Sequence, residues 1–292
     1  MPGALMSLIA GGNIDCRRDK FSILNLIKNI DKDELFNLSE KNIFSNPMII
    51  IYFYSIKFAI DLEQCFLEKL NFYLNNENSF FSCANMQIAK INLNKNYLIK
   101  IDCSYNRIKN IGKLSQELKW LNCSNNCLEK INIKSNKLIY LDCSYNRIKK
   151  LDNLPTSLKY LISNNNCISN LDYLPESLEY LDCSCNYENS FSDYAMTDLC
   201  SLDNLPNGLI YLISMCNRIN QYNNLPKSLK IACLYCNKKL DELKNIPIHM
   251  EIIDLYWNCL TQDKISDLKN SYAKIKFIIS DDDNLLLYKD KI

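Results

Sequence analysis

Histidine and glycine are scarce in this 292-residue chain, which has one histidine, His249, and five glycines. A His-based triad has at most one way to form, and a multi-histidine metal site has none. Gly3, Gly11, Gly12, Gly112 and Gly208 make neither a GxGxxG nor a GxxxxGK[ST] pattern, so the familiar phosphate-cradling loops are missing. Charge of one sign is lacking as well. Lys and Arg number 34 against 33 Asp and Glu, a net charge of +1. Nothing in that balance marks a nucleic-acid or anionic-lipid partner, so another protein is the expected one. The longest apolar run, 48–60 (MIIIYFYSIKFAI), contains Lys57 and is too short to span a bilayer. No membrane association and no cofactor are expected.

Cysteine is abundant, at 15 in the chain. The number is odd, the chain is large, and residues 1–30 carry no secretory signal. Leu5–Ala10 is apolar but short, has no basic residue before it and runs into Gly-Gly-Asn. A reducing, intracellular, cytoplasmic setting is expected.

The organising feature is a repeat. LIKIDCSYNRIKNI (98–111), LKWLNCSNNCLEKI (118–131), LIYLDCSYNRIKKL (138–151), LKYLISNNNCISNL (158–171) and LEYLDCSCNYENSF (178–191) share the frame LxxLxCxxNxIxxL. Its anchors are Asn106, Asn126, Asn146, Asn166, Asn186, Asn217, Asn237 and Asn258, with a degenerate first turn placed at Asn85. Apolar residues alternate through xLxCx, so one side of a short strand is apolar and must be covered by stacking coils. The asparagine amide carries donor and acceptor, which suits a ladder between turns. Coils as short as Asn126 to Asn146 leave no room for a full helix on the return path. LPTSL (154–158), LPESL (174–178), LPNGL (205–209) and LPKSL (225–229) put a proline there, predicting an extended, polyproline-like side.

This frame resembles the leucine-rich repeat, LxxLxLxxNxL, with cysteine often in place of the third leucine. The LPxxL returns are similar to those of secreted bacterial effectors and of arrays encoded by giant viruses and amoebae. For a viral chain that likeness implies the host cytoplasm. The implied fold is an α/β solenoid, a right-handed coil with a parallel concave β-sheet over about residues 78–260 and a helical N-terminal cap. Only the segment 261–292 follows the repeats, so the large catalytic ligase domain of many bacterial effectors is not expected. No enzymatic activity is expected, because no acid–base pair or activated nucleophile stands out from the frame.

The ends have a capping task available, since a solenoid must cover its terminal cores. TQDKISDLKNSYAK predicts a short helix and IKFIIS a strand, a C-terminal cap within 261–292. Residues 1–77 are expected to be mostly helical, as a cap or a docking segment. FSILNLIKNIDKDELFNLSEKN (21–42) has helical apolar spacing at Ile23, Leu26, Ile27 and Ile30, then Leu35 and Leu38. It is similar to an F-box, which implies a ubiquitin-ligase adaptor as a second partner and a substrate-receptor role. The spacing from Asn186 to Asn217 contains an insertion near 187–197, a contact element or a neutral excursion.

Candidate binding residues follow from counting back from each asparagine. Six back stand Lys100, Trp120, Tyr140, Tyr160, Tyr180, Tyr211, Ile231 and Ile252, an aromatic stripe. Four back, Asp102, Asp142, Asp182 and Asp254 are mixed with Asn122, Ile162, Ile213 and Cys233, more acidic in the N-terminal half and more apolar in the C-terminal half. Both columns are expected on the concave face, either to bind a partner or to stabilise the sheet. Cys103, Cys123, Cys143 and Cys183 fall three back, inside, where a thiol acts as a small hydrophobe. Cys185, Cys216 and Cys236 fall one back on consecutive coils. With Cys233 they are the one set that invites soft-metal or disulfide chemistry, against a chance overlap of repeat columns. The expectation for metal is none.

Overall fold

In a computed structural model of the chain, the described residues are 80–279 except 94–97, 187–198, 223 and 238. They lie in one compact unit, Asn76–Ile279. The F-box-like segment, the expected N-terminal cap and the 187–197 insertion all lie outside the described residues.

The strands are β1 (Phe80–Ser82), β2 (Ile91–Leu93), β3 (Lys100–Asp102), β4 (Ile111–Leu114), β5 (Trp120–Asn122), β6 (Tyr140–Asp142) and β7 (Tyr160–Ile162). They continue as β8 (Tyr180–Asp182), β9 (Tyr211–Ile213), β10 (Gln221–Tyr222), β11 (Ile231–Cys233), β12 (Glu242–Leu243), β13 (Ile252–Asp254) and β14 (Lys276–Ile278). Ten of them form one sheet in the order β1-β3-β5-β6-β7-β8-β9-β11-β13-β14. All its pairings are parallel and in register, one coil to the next. The described residues form a parallel-sheet solenoid of about nine turns.

The sequence builds this sheet because the middle residue of each short strand is apolar and must be covered. Ile101, Leu121, Leu141, Leu161, Leu181, Leu212, Ala232 and Ile253 form that column, and all are fully buried. Leu118, Leu138, Leu158, Leu178, Leu209 and Leu229 at the strand entries are buried beside them. Each residue packs on its counterpart in the adjacent coil, so the core is a stack of rows.

No return between β1 and β13 contains a helix among the described residues. Proline opens a tight turn on each LPxxL segment: Leu158 N–H donates to Pro155 C=O at 3.1 Å, Leu178 to Pro175 at 3.0 Å, and Leu209 to Pro206 at 3.1 Å. The serine of the motif ties the turn to the preceding coil. Ser157, Ser177 and Ser228 donate their hydroxyls to the carbonyls of Leu138, Leu158 and Leu209 at 2.7, 2.7 and 2.6 Å. Asn153, Asn204 and Asn245, each just before an apolar-Pro pair, take left-handed backbone with φ of 60°, 66° and 55°. The extended side predicted from the prolines is therefore broken by turns. Proline holds only its own φ and its predecessor extended, and a coil this short must also reverse direction.

Two short pairs, β2 with β4 and β10 with β12, bridge neighbouring returns. Gly112 is required in the first of them, because a Cβ there would sit 2.4 Å from the backbone oxygen of Ile91. Gly112→Ala must push two paired backbones apart. We expect it to cost about 2 kcal/mol, read as a lower urea midpoint with an unchanged slope. A midpoint equal to the parent's would show that the return pair is dispensable.

Register corrects the first coil. Phe80–Ser82 pairs with Lys100–Asp102, residue for residue, so Asn85 corresponds to Tyr105 and Met86 occupies the ladder position. The excess residues of the long coil are also located. Leu199 N–H donates to Asn186 C=O at 3.1 Å, and Arg218 N–H to Leu199 C=O at 3.2 Å. Leu199 thus fills the place that Ile148 and Ile168 take just after their asparagines, and the excursion lies between Asn186 and Leu199.

After the last repeat, α1 (Gln262–Ser271) is capped by Thr261, whose hydroxyl accepts from Lys264 N–H at 3.4 Å. Strand β14 follows and pairs with β13, while Ile275, Phe277 and Ile278 are buried. Leu268 and Tyr272 pack against the core from the helix side. No helix among the described residues is long and apolar enough to cross a membrane.

Candidate partner-binding face and thiol rows

Within each short strand of the sheet the outer two residues point away from the core. In-register pairing then lines up Trp120, Tyr140, Tyr160, Tyr180 and Tyr211 on five consecutive strands. Trp120 and Tyr140 stack with ring centroids 5.3 Å apart and planes 8° from parallel. Trp120, Tyr160 and Tyr211 are half-buried, whereas Tyr140 and Tyr180 keep only 4% and 2% of their surface. Sequence alternation does not distinguish these rings, because all five hold the same strand position; packing around each ring does.

The acidic column has a local task that counting did not show. Asp102 Oδ1 accepts from the Ser104 N–H at 3.0 Å and the Ser104 hydroxyl at 2.7 Å. Asp142 does the same with Ser144, at 2.9 and 2.6 Å. Asp182 accepts from Ser184 N–H at 2.9 Å, Asn122 from Ser124 N–H at 3.0 Å, and Asp254 from Tyr256 N–H at 3.0 Å. A short side-chain carbonyl or carboxylate capping the N–H two residues on is an Asx turn. It bends the chain out of the strand toward a residue with left-handed backbone at Tyr105, Asn125, Tyr145, Cys185 and Trp257; Asn165, Cys216 and Cys236 take the same conformation in coils where Ile162, Ile213 or Cys233 stands in place of the Asx residue (φ 52° to 61° throughout). The signal in the sequence was the recurring [DN]-x-S at 102–104, 122–124, 142–144 and 182–184. One oxygen of each of these carboxylates is therefore committed to the fold, and Asp254 is buried.

The asparagines form the ladder. Asn126 Nδ2 donates to the carbonyls of Cys103 in the preceding coil and Cys123 in its own, at 3.0 and 3.1 Å, while its Oδ1 accepts from Ile108 N–H at 2.9 Å. Asn106, Asn146, Asn166 and Asn186 repeat the pattern. At the interrupted coil it shifts: Asn217 Nδ2 still reaches Cys183 C=O at 3.0 Å, but Oδ1 takes the N–H of Asn186 itself at 2.7 Å. Asn237 and Asn258 continue the ladder to the last repeat.

The thirteen described cysteines form no disulfide. Cys83, which register adds to the inner column, joins Cys103, Cys123, Cys143 and Cys183 in the core. Burial above all pushes the Cys103 and Cys183 thiols up to about 12, with smaller upward pushes from Cys83 and Asp102 on the first and from Asp182 on the second. Cys123 and Cys143 are raised chiefly by burial too. These thiols stay protonated and serve as small apolar groups. Cys216 stands between Cys185 and Cys236 on consecutive coils, and the two neighbouring thiols, with burial after them, hold its own thiol well above the ordinary value. Cys233 leaves that group: it is fully buried in the strand and directs Sγ to Asp254 Oδ2 at 3.7 Å. Among the described residues no group of three or more His, Cys, Asp or Glu is placed to hold a metal ion.

Short stacked coils, one of them lengthened after Asn186, a parallel sheet and an asparagine ladder give the fold of a leucine-rich-repeat solenoid. No protein-family model and no curated protein matches the chain. Among solved structures it is similar to YopM from Yersinia enterocolitica WA-314, at 25% identity over 58% of this chain and 44% of that one, with a TM-score of 0.44. The chain thus spans less than half of that YopM chain. It is also similar to a Shigella effector LRR domain (20% identity, 73% and 87% covered, TM-score 0.46). A third is the functional domain of InlJ from Listeria monocytogenes (19%, 69% and 53%, TM-score 0.42).

Proposed function

We propose that this chain is a non-enzymatic interaction scaffold that binds a partner protein on the outer face of its sheet. The observation that most supports this reading is the in-register run of five aromatic rings, three of them half-buried. Aromatic rings bring large contact area at low entropic cost and are enriched among residues that dominate binding energy. Five strands at about 4.8 Å spacing present a stripe roughly 20 Å long, enough for a short helix or an extended peptide. Helix α1 and strand β14 serve as the C-terminal cap of this scaffold.

The same rings also stiffen the sheet, so the test must separate folding from recognition. Trp120→Ala, Tyr160→Ala and Tyr211→Ala together remove the three half-buried rings and leave Tyr140 and Tyr180 in place. We expect the triple variant to keep its circular dichroism and to lose at least about tenfold in capture of partner protein from the native cell extract. A folded triple variant with undiminished capture would refute the reading. Loss of folding would assign the rings to the sheet alone.

A further inference from the structure

We propose that Cys185, Cys216 and Cys236 form an oxidation site, at which a small-molecule disulfide joins Cys216 to one neighbour and so links two consecutive coils covalently. The placement comes from register. Strands β8, β9 and β11 align Asp182, Ile213 and Cys233, and three places further on each chain passes through the same left-handed turn, with φ of 54°, 52° and 59° at the three cysteines. Cys185 N–H donates to Met215 C=O, Cys216 N–H to Tyr235 C=O and Cys236 N–H to Tyr256 C=O, each at 2.9 Å. The three backbones are therefore stacked one coil apart, about 5 Å, inside the Cα separation that a disulfide needs. All three residues are half-buried, unlike the inner column of Cys103, Cys123 and Cys143, which is sealed in the core.

The chemistry balances with a small disulfide RS–SR as oxidant. The thiolate of Cys185 or Cys236 attacks one sulfur, the RS–SR bond breaks and one RSH leaves with a proton. Cys216 then attacks the protein sulfur of the mixed disulfide and expels the second RSH. Two protein thiols are oxidised and one small disulfide is reduced. The remaining thiol of the row can attack in turn, so the row holds a single bond with Cys216 always in it. Hydrogen bonds with the two neighbouring thiols, and burial after them, keep Cys216 protonated, so the second step quickens as pH rises. A Cys185–Cys216 bond closes the loop that contains residues 187–198. It ties the coil of Asn186 to the next one, where the Asn217 Oδ1 accepts from the N–H of Asn186 itself.

The test uses the reduced full-length chain, oxidised glutathione at pH 8, alkylation and peptide mapping by mass spectrometry. The expected map shows one intrachain disulfide per chain, Cys216 with Cys185 or with Cys236. Cys103, Cys123 and Cys143 become alkylated only after denaturation. Oxidation raises the thermal midpoint by several degrees, reversed by dithiothreitol. Cys216→Ser leaves stable glutathione adducts on Cys185 or Cys236 and no bond between those two. Cys185→Ser retains the Cys216–Cys236 bond. Wild-type protein that keeps a Cys216 thiol while glutathione persists on its neighbours overturns the proposal, as does a map with only interchain bonds. The wild-type map is decisive without the variants.

Discussion

Asn146→Ala is expected to lower the unfolding free energy by about 2–3 kcal/mol, because one buried amide serves two coils at once. Its Nδ2 donates to the carbonyls of Cys123, Cys143 and Ser144 at 3.1, 3.0 and 3.0 Å, and its Oδ1 accepts from Leu128 N–H at 2.8 Å. Alanine leaves the Leu128 N–H without its partner in a site that is 8% exposed, and takes one of two donors from each carbonyl: Cys123 keeps Asn126 Nδ2, Cys143 keeps Asn166 Nδ2 and Ser144 keeps the Asn125 N–H. Urea unfolding measures the loss, and amide exchange at Leu128 locates it. A loss under about 1 kcal/mol would show that the ladder is redundant at this coil. Asn146→Asp separates the donor from the acceptor. Ionised, its second oxygen faces three carbonyls with no cation beside it, so the folded-state pKa must rise above the ordinary value of about 4. The folded variant then binds more protons than the unfolded one. Its stability is fully present below about pH 4 and is lost as pH rises through the elevated folded value. Asn146→Asp should therefore approach wild type at pH 4 and fall away from it at pH 7. An equal deficit at both pH values would contradict the ladder geometry.

Leu141→Ala is expected to cost about 3–4 kcal/mol. Leu141 is fully buried in mid-sheet, in register between Leu121 and Leu161, which are equally buried. The parallel strands above and below hold fixed spacing, so neither neighbour can close the cavity without breaking its own pairing. In a stacked array the interface with each adjacent coil is weakened, and thermal unfolding should lose sharpness as well as midpoint. Tyr160→Ala, one coil on and on the outer face, should cost far less. Equal costs for the two would mean that the rings, and not the leucines, hold the sheet together.

Much of the architecture was legible in the sequence because a solenoid has little long-range ambiguity. Each coil meets mainly its neighbours, one repeat away along the chain, so a column of the repeat is also a row in space. Leu121, Leu141 and Leu161 are neighbours in both senses, and Asn126 and Asn146 are successive rungs. The degenerate first coil escaped this logic. Asn85 is an asparagine of the right type one place too early, and only strand pairing shows Met86 at the ladder position. The Asx turns were present as [DN]-x-S but carried no message until the turn after each strand was seen to be left-handed.

What the sequence determined alone is the identity of the columns: which residues share an environment, which are apolar, and where the count breaks. Only the tertiary structure decided direction and depth within a column. It separated half-buried Tyr160 from buried Tyr180, committed one oxygen of each acidic residue to capping its own strand end, and parted Cys233 from Cys236 although they stand within one short stretch of chain. The reason is geometric. Periodicity reports which face a side chain leaves from, whereas its surroundings depend on the neighbouring coils and on the turn that ends the strand.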